Sequence, residues 1–249
     1  MSCLNSQEIR IMARAGEIAA CAMEEVAEKI KAGVTTSYLD KVAEDTIKRF
    51  GAESSFKKVA GYKHTTCLTP NDIVVHGIPG NYVLAEGDIL GVDLGVFYEG
   101  LNADTAWTFP VGKIDREKEL FLSVGQKTLF EALGQVKIGN KIGDLGYVIQ
   151  TNIEGSGYSV VRELVGHGIG KKLHEEPPIP GKGKKGTGPP IREGMALAVE
   201  VIYNFGKPAV VFLPDGWSIV TRDGLPSGLF EHTVVATKNG PYVLTSLAT

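Results

Sequence analysis

Glu86-Gly87-Asp88-Ile89-Leu90-Gly91-Val92-Asp93 returns 107 positions later as Glu193-Gly194-Met195-Ala196-Leu197-Ala198-Val199-Glu200. Both copies read as an apolar strand that carries one carboxylate at the same place. Upstream the echo continues at an offset of 106, where Lys31, Gly33, Leu39, Val42, Ile47 and Gly51 match Lys137, Gly139, Leu145, Val148, Ile153 and Gly157. Helix stops and apolar-face positions are among the matches. Residues 6–32 read as one amphipathic helix, opened by the Asn5/Glu8 capping pair and ended by Gly33. A second helix runs from about 36 to 50 and is stopped by Gly51. Gly16 lowers the propensity of the first helix without breaking its period. The pattern predicts an α+β chain with pseudo-two-fold symmetry, each half giving helices and then antiparallel strands to a shared sheet. The halves are about 1–113 and 114–249, joined near Val111–Asp115 without a flexible linker, so 1–249 is expected to be one catalytic domain.

The 249 residues carry a net charge of −3, with 43% apolar and 22% charged residues, a globular composition. No apolar run approaches the ~18 residues of a bilayer span, and MSCLNSQEIR does not read as a signal peptide. The charge gives no reason to expect DNA or a membrane as a partner. Cys3, Cys21 and Cys67 are too few and scattered for a disulfide framework, which fits free thiols in the cytoplasm.

The segment Asp88–Pro110 carries the chemistry. Its first strand alternates Leu90, Val92, Leu94 and Val96 against Gly91, Asp93 and Gly95; its second sets Asn102, Asp104, Ala106 and Thr108 on the more polar face. A two-residue turn centred between Tyr98 and Glu99 would set Asp93 directly opposite Asp104, with β-carbons about 4.5–5.5 Å apart. Like charges so placed are destabilising unless a positive charge sits between them. A surface hairpin with two solvated aspartates is the plainer alternative. Glu200 and Glu231 weigh against it, because each is a lone charge in an apolar strand with few cationic residues nearby. Two divalent cations would balance the four carboxylates. His167 in GHGIG, His174 in HEEP and His76 in VHGIP sit in glycine- or proline-bounded turns and are the candidate nitrogen donors. His64 and His232 read as structural. An oxygen-rich set with one imidazole and no thiolate favours Mn, Fe, Co or Zn in a catalytic rather than a structural site.

Taken together, HGIP at His76, VDLGVFYEGLNADT, GHGIG to HEEP, Glu200 in its strand and FEHT at Phe230–Thr233 resemble the type I methionine aminopeptidases. That family has the pita-bread fold, a curved antiparallel sheet covered by helices. The resemblance implies that Asp93, Asp104, His167, Glu200 and Glu231 hold two divalent metal ions (Co, Mn, Fe or Zn), with Asp104 and Glu231 bridging. A bridging water would attack the carbonyl after the initiator Met of a nascent chain with a small second residue. Glu200 would shuttle the proton, His174 would donate to the oxyanion, and His76 would touch the substrate or aid proton movement. Tyr62, Cys67 and Trp217 would form the methionine pocket. It further implies a cytoplasmic monomer acting on nascent polypeptide N-termini with transient ribosome contact. The chain departs from the family at Val201, where proline usually follows the glutamate, and at Leu173, where an aromatic residue often precedes the histidine. The same motifs fit an Xaa-Pro aminopeptidase or dipeptidase of this fold, and a non-catalytic binding module is the third possibility. Met1-Ser2 makes the protein a candidate for its own substrate.

Gly181-Lys182-Gly183-Lys184-Lys185-Gly186 spells a dinucleotide fingerprint, but no strand precedes it and Gly188-Pro189-Pro190 cannot open a helix. It reads as a solvated basic loop, with ribosomal RNA contact as the functional alternative.

Overall fold

A computed structural model describes residues 3–246. The first half runs α1 (Ser6–Lys29), α2 (Thr36–Arg49), β1 (Glu53–Ser54), β2 (Thr66–Pro70), β3 (Ile73–Val75), β4 (Ile89–Tyr98) and β5 (Leu101–Pro110). The second runs α3 (Arg116–Leu133), α4 (Ile142–Gly155), β6 (Ser159–Val160), β7 (Val165–Gly168), β8 (Glu175–Pro180), β9 (Ala196–Asn204), β10 (Val210–Phe212), β11 (Ile219–Thr221), β12 (Ser227–Thr237) and β13 (Gly240–Val243). Asn5 caps α1 by accepting from the Gln7 and Glu8 amides, while Glu8 returns a bond to the Asn5 amide. The helix ends at Lys29, three residues short of the expected 32, because Ile30 leaves helical geometry; Gly33, at φ +87°, turns the chain afterwards. Gly16 is an approach point. A Cβ there would meet the Leu244 carbonyl oxygen at 2.3 Å.

The repeat holds in three dimensions. α2 and α4 are each 14 residues long and begin 106 positions apart. Gly33 and Gly139 before them both take positive φ and donate their N–H groups to Leu84 and Ile191 respectively. Gly51 and Gly157 turn the chain after them, as Gly87 and Gly194 do before β4 and β9.

The main sheet has the order β1-β4-β5-β12-β9-β7-β8, with β2 on β4, β6 on β9 and β13 on β12. Both halves therefore share it, and they meet where β5 lies beside β12. That seam is short. Register partners there are only Ala106 with Glu231 and Thr105 with His232, whereas β12 and β9 pair from Ser227 through Val235. Threonine hydroxyls extend it. Thr108 Oγ1 donates to the Leu229 carbonyl and accepts from the Leu229 amide, both at 2.9 Å. Thr233 Oγ1 likewise accepts from the Asp104 amide and donates to its carbonyl at 2.8 Å.

The helices cover one face of this sheet. Leu90, Val92, Leu94 and Val96 pack with α1 and α2, and Val199, Val201, Phe230 and Val234 with α3 and α4. Each such buried side chain stabilises by roughly 1.5–3 kcal/mol. Period-two alternation then leaves Asp93, Asp104, Glu200 and Glu231 on the opposite face. There a small sheet, β10-β11-β3, packs Val75, Val210 and Ile219 with Ala106, Ile202 and Leu229.

Candidate metal centre and cleft

The β4–β5 register differs from the expected one. The turn is Glu99-Gly100, at φ +46° and +90°, so Tyr98 pairs with Leu101, Asp93 with Ala106 and Asp104 with Gly95. Asp93 and Asp104 are diagonal rather than direct neighbours. Two consecutive residues of positive φ suit a tight hairpin, and Gly100 supplies the second without steric cost. Moving the turn centre by one residue slides the partner by two, so both aspartates keep the expected face.

Two rows of side chains cross that face. The first runs Cys67, Asp93, Ala106, Glu231 and Glu200 over β2, β4, β5, β12 and β9, each residue the register partner of the next. In the second, Asp104 bonds Thr233 through the backbone, Thr233 pairs with Ala198, and Ala198 pairs with His167. Small residues, Ala106 and Ala198, leave the space into which the ligating groups reach. Ligand atoms of Asp104, His167 and Glu231 lie within 4.8 Å of one another, and His167 Nε2 is 3.6 Å from Glu200 Oε1. His167 Nδ1 is 2.9 Å from the Gly168 carbonyl oxygen; with its proton there, Nε2 is free to ligate.

Asp93, Asp104 and Glu231 are buried, and Glu200 keeps 13% of its side-chain surface exposed. Burial is the main force raising all four carboxyls. Asp93 is raised further by Asp104 and Glu200, and Glu231 by Asp104, Glu200 and Asp93. Asp104 is pushed to about 7 although the Thr105 amide donates to it, and Glu200 rises well above its ordinary value. Burial and then His174 pull His167 down to about 4, leaving it neutral and able to ligate. Asp93 Oδ1 and Glu231 Oε1 are buried with no hydrogen-bond partner among the described residues. Clustered acids with orphaned oxygens and one neutral imidazole fit divalent cations, and fit little else this chain offers.

One cleft gathers every expected site residue: Asp93, Asp104, His167, Glu200 and Glu231 with His76, His174, Tyr62, Cys67 and Trp217. His76 and His174 are its exposed members. His76 follows β3 at φ +57°, one residue after Val75 pairs with Ile219; Trp217 enters β11 from the other strand of that pair. The His174 ring lies 4.4 Å from that of His167, nearly perpendicular. Tyr62 stacks edge-on against Trp217 at 4.9 Å and donates its hydroxyl to the Thr66 carbonyl. Burial and then the Asp93 charge push the Cys67 thiol well up, so it is a neutral wall.

Phe56, Val59 and Val75 also line the cleft, unforeseen because the first two sit on a single short 3₁₀ turn and its cap, too brief for a periodicity to read. Leu173 lines it as well, so that departure touches the pocket, whereas Val201 points into the helix-side core. His232 lies on the helix side, bonded to Thr245, and His64 stands beside Asp40 outside the cleft. The Gly181–Gly186 segment belongs to no helix, and Lys185 lies over the Tyr147 ring. Cys3, Cys21 and Cys67 are free thiols. No helix of the described residues is long and apolar enough to cross a membrane.

Comparison with known proteins places the whole chain. Methionine aminopeptidase of Clostridium perfringens is 41% identical over 241 residues, covering 97% of both chains. The crystal structure of methionine aminopeptidase from Thermotoga maritima superposes with a TM-score of 0.97 at 39% identity, covering 99% of both. A prolidase from Pyrococcus horikoshii shares the fold, with a TM-score of 0.80 at 23% identity, covering 99% of this chain and 64% of its own. The architecture is thus the pita-bread fold. Residues 10–238 match the model of metallopeptidase family M24, and the chain belongs to that family.

Proposed function

We propose that the chain removes the initiator methionine from polypeptides whose second residue is small. One observation carries the reading: a cluster suited to divalent cations shares a single cleft with a neutral pocket of Tyr62, Cys67, Trp217, Phe56 and Leu173. Apolar, aromatic and thiol walls suit a polarisable thioether. Asp93, Asp104, His167, Glu200 and Glu231 would hold two divalent cations. Divalent ions held there would supply Lewis acidity, acidifying a water and polarising a carbonyl. Glu200 takes the proton of the attacking water and returns it to the departing amine. His174, whose partly desolvated ring titrates below the ordinary histidine value, donates an N–H to the carbonyl oxygen as negative charge develops. His76, at the cleft mouth, contacts the peptide beyond the scissile bond.

In this reading residues 1–249 work as one catalytic domain of two halves, a cytoplasmic monomer acting on nascent chains. Lys182, Lys184 and Lys185 would supply a transient ribosome contact, which would weaken steeply with salt. Removal of its own Met1 before Ser2 lies outside the described residues; retention of Met1 in cells would count against it. The deciding experiment strips the protein with chelator, reloads it with Mn, Fe, Co or Zn, and compares Met-Ala, Met-Gly and Xaa-Pro peptides. Turnover confined to the Met peptides is expected. Preference for Xaa-Pro would overturn the assignment.

A further inference from the structure

Asn102 is 3% exposed on β5, two residues before Asp104 and on the same face. Its Oδ1 accepts from Ser55 Oγ at 2.8 Å, and its Nδ2 donates to the Gly170 and Lys171 carbonyls at 2.9 and 3.2 Å. The backbone N–H of Asn102 also donates to Gly170 at 2.9 Å. Two carbonyl partners on one side and a hydroxyl on the other fix the amide in a single orientation. The partners belong to two different chain segments that line the cleft. Ser55 opens the turn that carries Phe56 and Val59, and Gly170-Lys171 lead into Leu173 and His174.

We propose that Asn102 is a positioning residue. Through Ser55 it sets the apolar wall that meets the methionine side chain, and through Gly170 and Lys171 it sets His174 against the scissile carbonyl. This rests on the reading of the cleft given above. The two arms separate chemically. Asn102→Asp keeps the acceptor for Ser55 and removes the Nδ2 donor to the Gly170 and Lys171 carbonyls, loosening the His174 side while the backbone N–H bond to Gly170 remains. Ser55→Ala releases the other side alone.

The test uses the metal-loaded full chain. Wild-type turnover of a Met-Ala peptide is measured first; its absence overturns the functional reading and leaves the Asn102 bonds to be judged by amide hydrogen exchange. With wild-type turnover in hand, Asn102→Asp is expected to lower kcat about tenfold or more, as loss of buried hydrogen bonds does. Bound metal should be unchanged, and exchange at residues 170–174 faster. Ser55→Ala is expected to keep kcat within about twofold while raising KM and cutting discrimination between methionine and leucine at the first position by about fivefold. Wild-type kcat, KM, discrimination and exchange in both variants would overturn the proposal. So would parallel losses of metal, melting temperature and activity with discrimination unchanged, the mark of a merely structural role.

Discussion

Glu231 and Glu200 are direct register partners across β12 and β9, both on the face away from the helices. Like charges opposed in this way oppose folding unless cations lie between them. Chelation should therefore lower the melting temperature. Glu231→Gln should melt at or above the metal-free wild type, by up to a few degrees for ~1 kcal/mol of relief, while metal-dependent turnover drops about a hundredfold or more. A metal-free variant that melts below metal-free wild type would contradict this account of the cluster.

The raised carboxyls also fix the sign of the pH dependence. As pH climbs from the ordinary Asp value of 3.8 toward about 7, the unfolded chain gives up protons that buried Asp104 retains, so stability falls. His167 and His232, held at about 4, act the other way. Their contribution is lost as pH drops from 6.5 to about 4 and is complete above 6.5. The two effects oppose each other between about 4 and 6.5; above that only the carboxyls remain. Metal-free protein should lose stability from pH 6.5 through about 7 and gain metal affinity over the same range, readable by urea denaturation and calorimetric titration. Metal-free stability that rises across that window would show the assignment to be wrong.

Ala106 is the register partner of both Asp93 and Glu231. Its small side chain leaves room beside both, so Ala106→Leu should crowd the cluster and weaken metal binding by about ten- to a hundredfold. Helical content in circular dichroism should stay the same. Unaltered metal affinity would mean that the ligands converge elsewhere.

Thr108 does the work of a missing ladder bond at the seam, as both donor to and acceptor from Leu229. Thr108→Val preserves shape and leaves a buried amide and carbonyl without partners, a loss of about 2 kcal/mol or more. Urea denaturation would register this as a lower midpoint at constant slope. An unshifted midpoint would show that water replaces the hydroxyl.

Much of this architecture was legible in the residues. Gly33 and Gly139 marked equivalent turns because a left-handed backbone favours glycine, and alternation around Asp93 and Glu200 placed both on one face. The hairpin register was not legible: Tyr98-Glu99-Gly100 accommodates two turn centres, and only the backbone selects Glu99-Gly100. Phe56 and Val59 left no trace because a single 3₁₀ turn is too short to show a period. Asn102 was visible only as a polar-face residue, since its partners lie 47, 68 and 69 positions away. Gly16 looked like a small defect in α1; its reason lies at the other end of the chain, where Leu244 comes too close for any side chain.

The brevity of the β5–β12 pairing has a mechanical consequence. Asp93 and Asp104 stand on one lobe and His167, Glu200 and Glu231 on the other, so ions held by all five would act as rivets across that short spine. Loading the centre would clasp the lobes together.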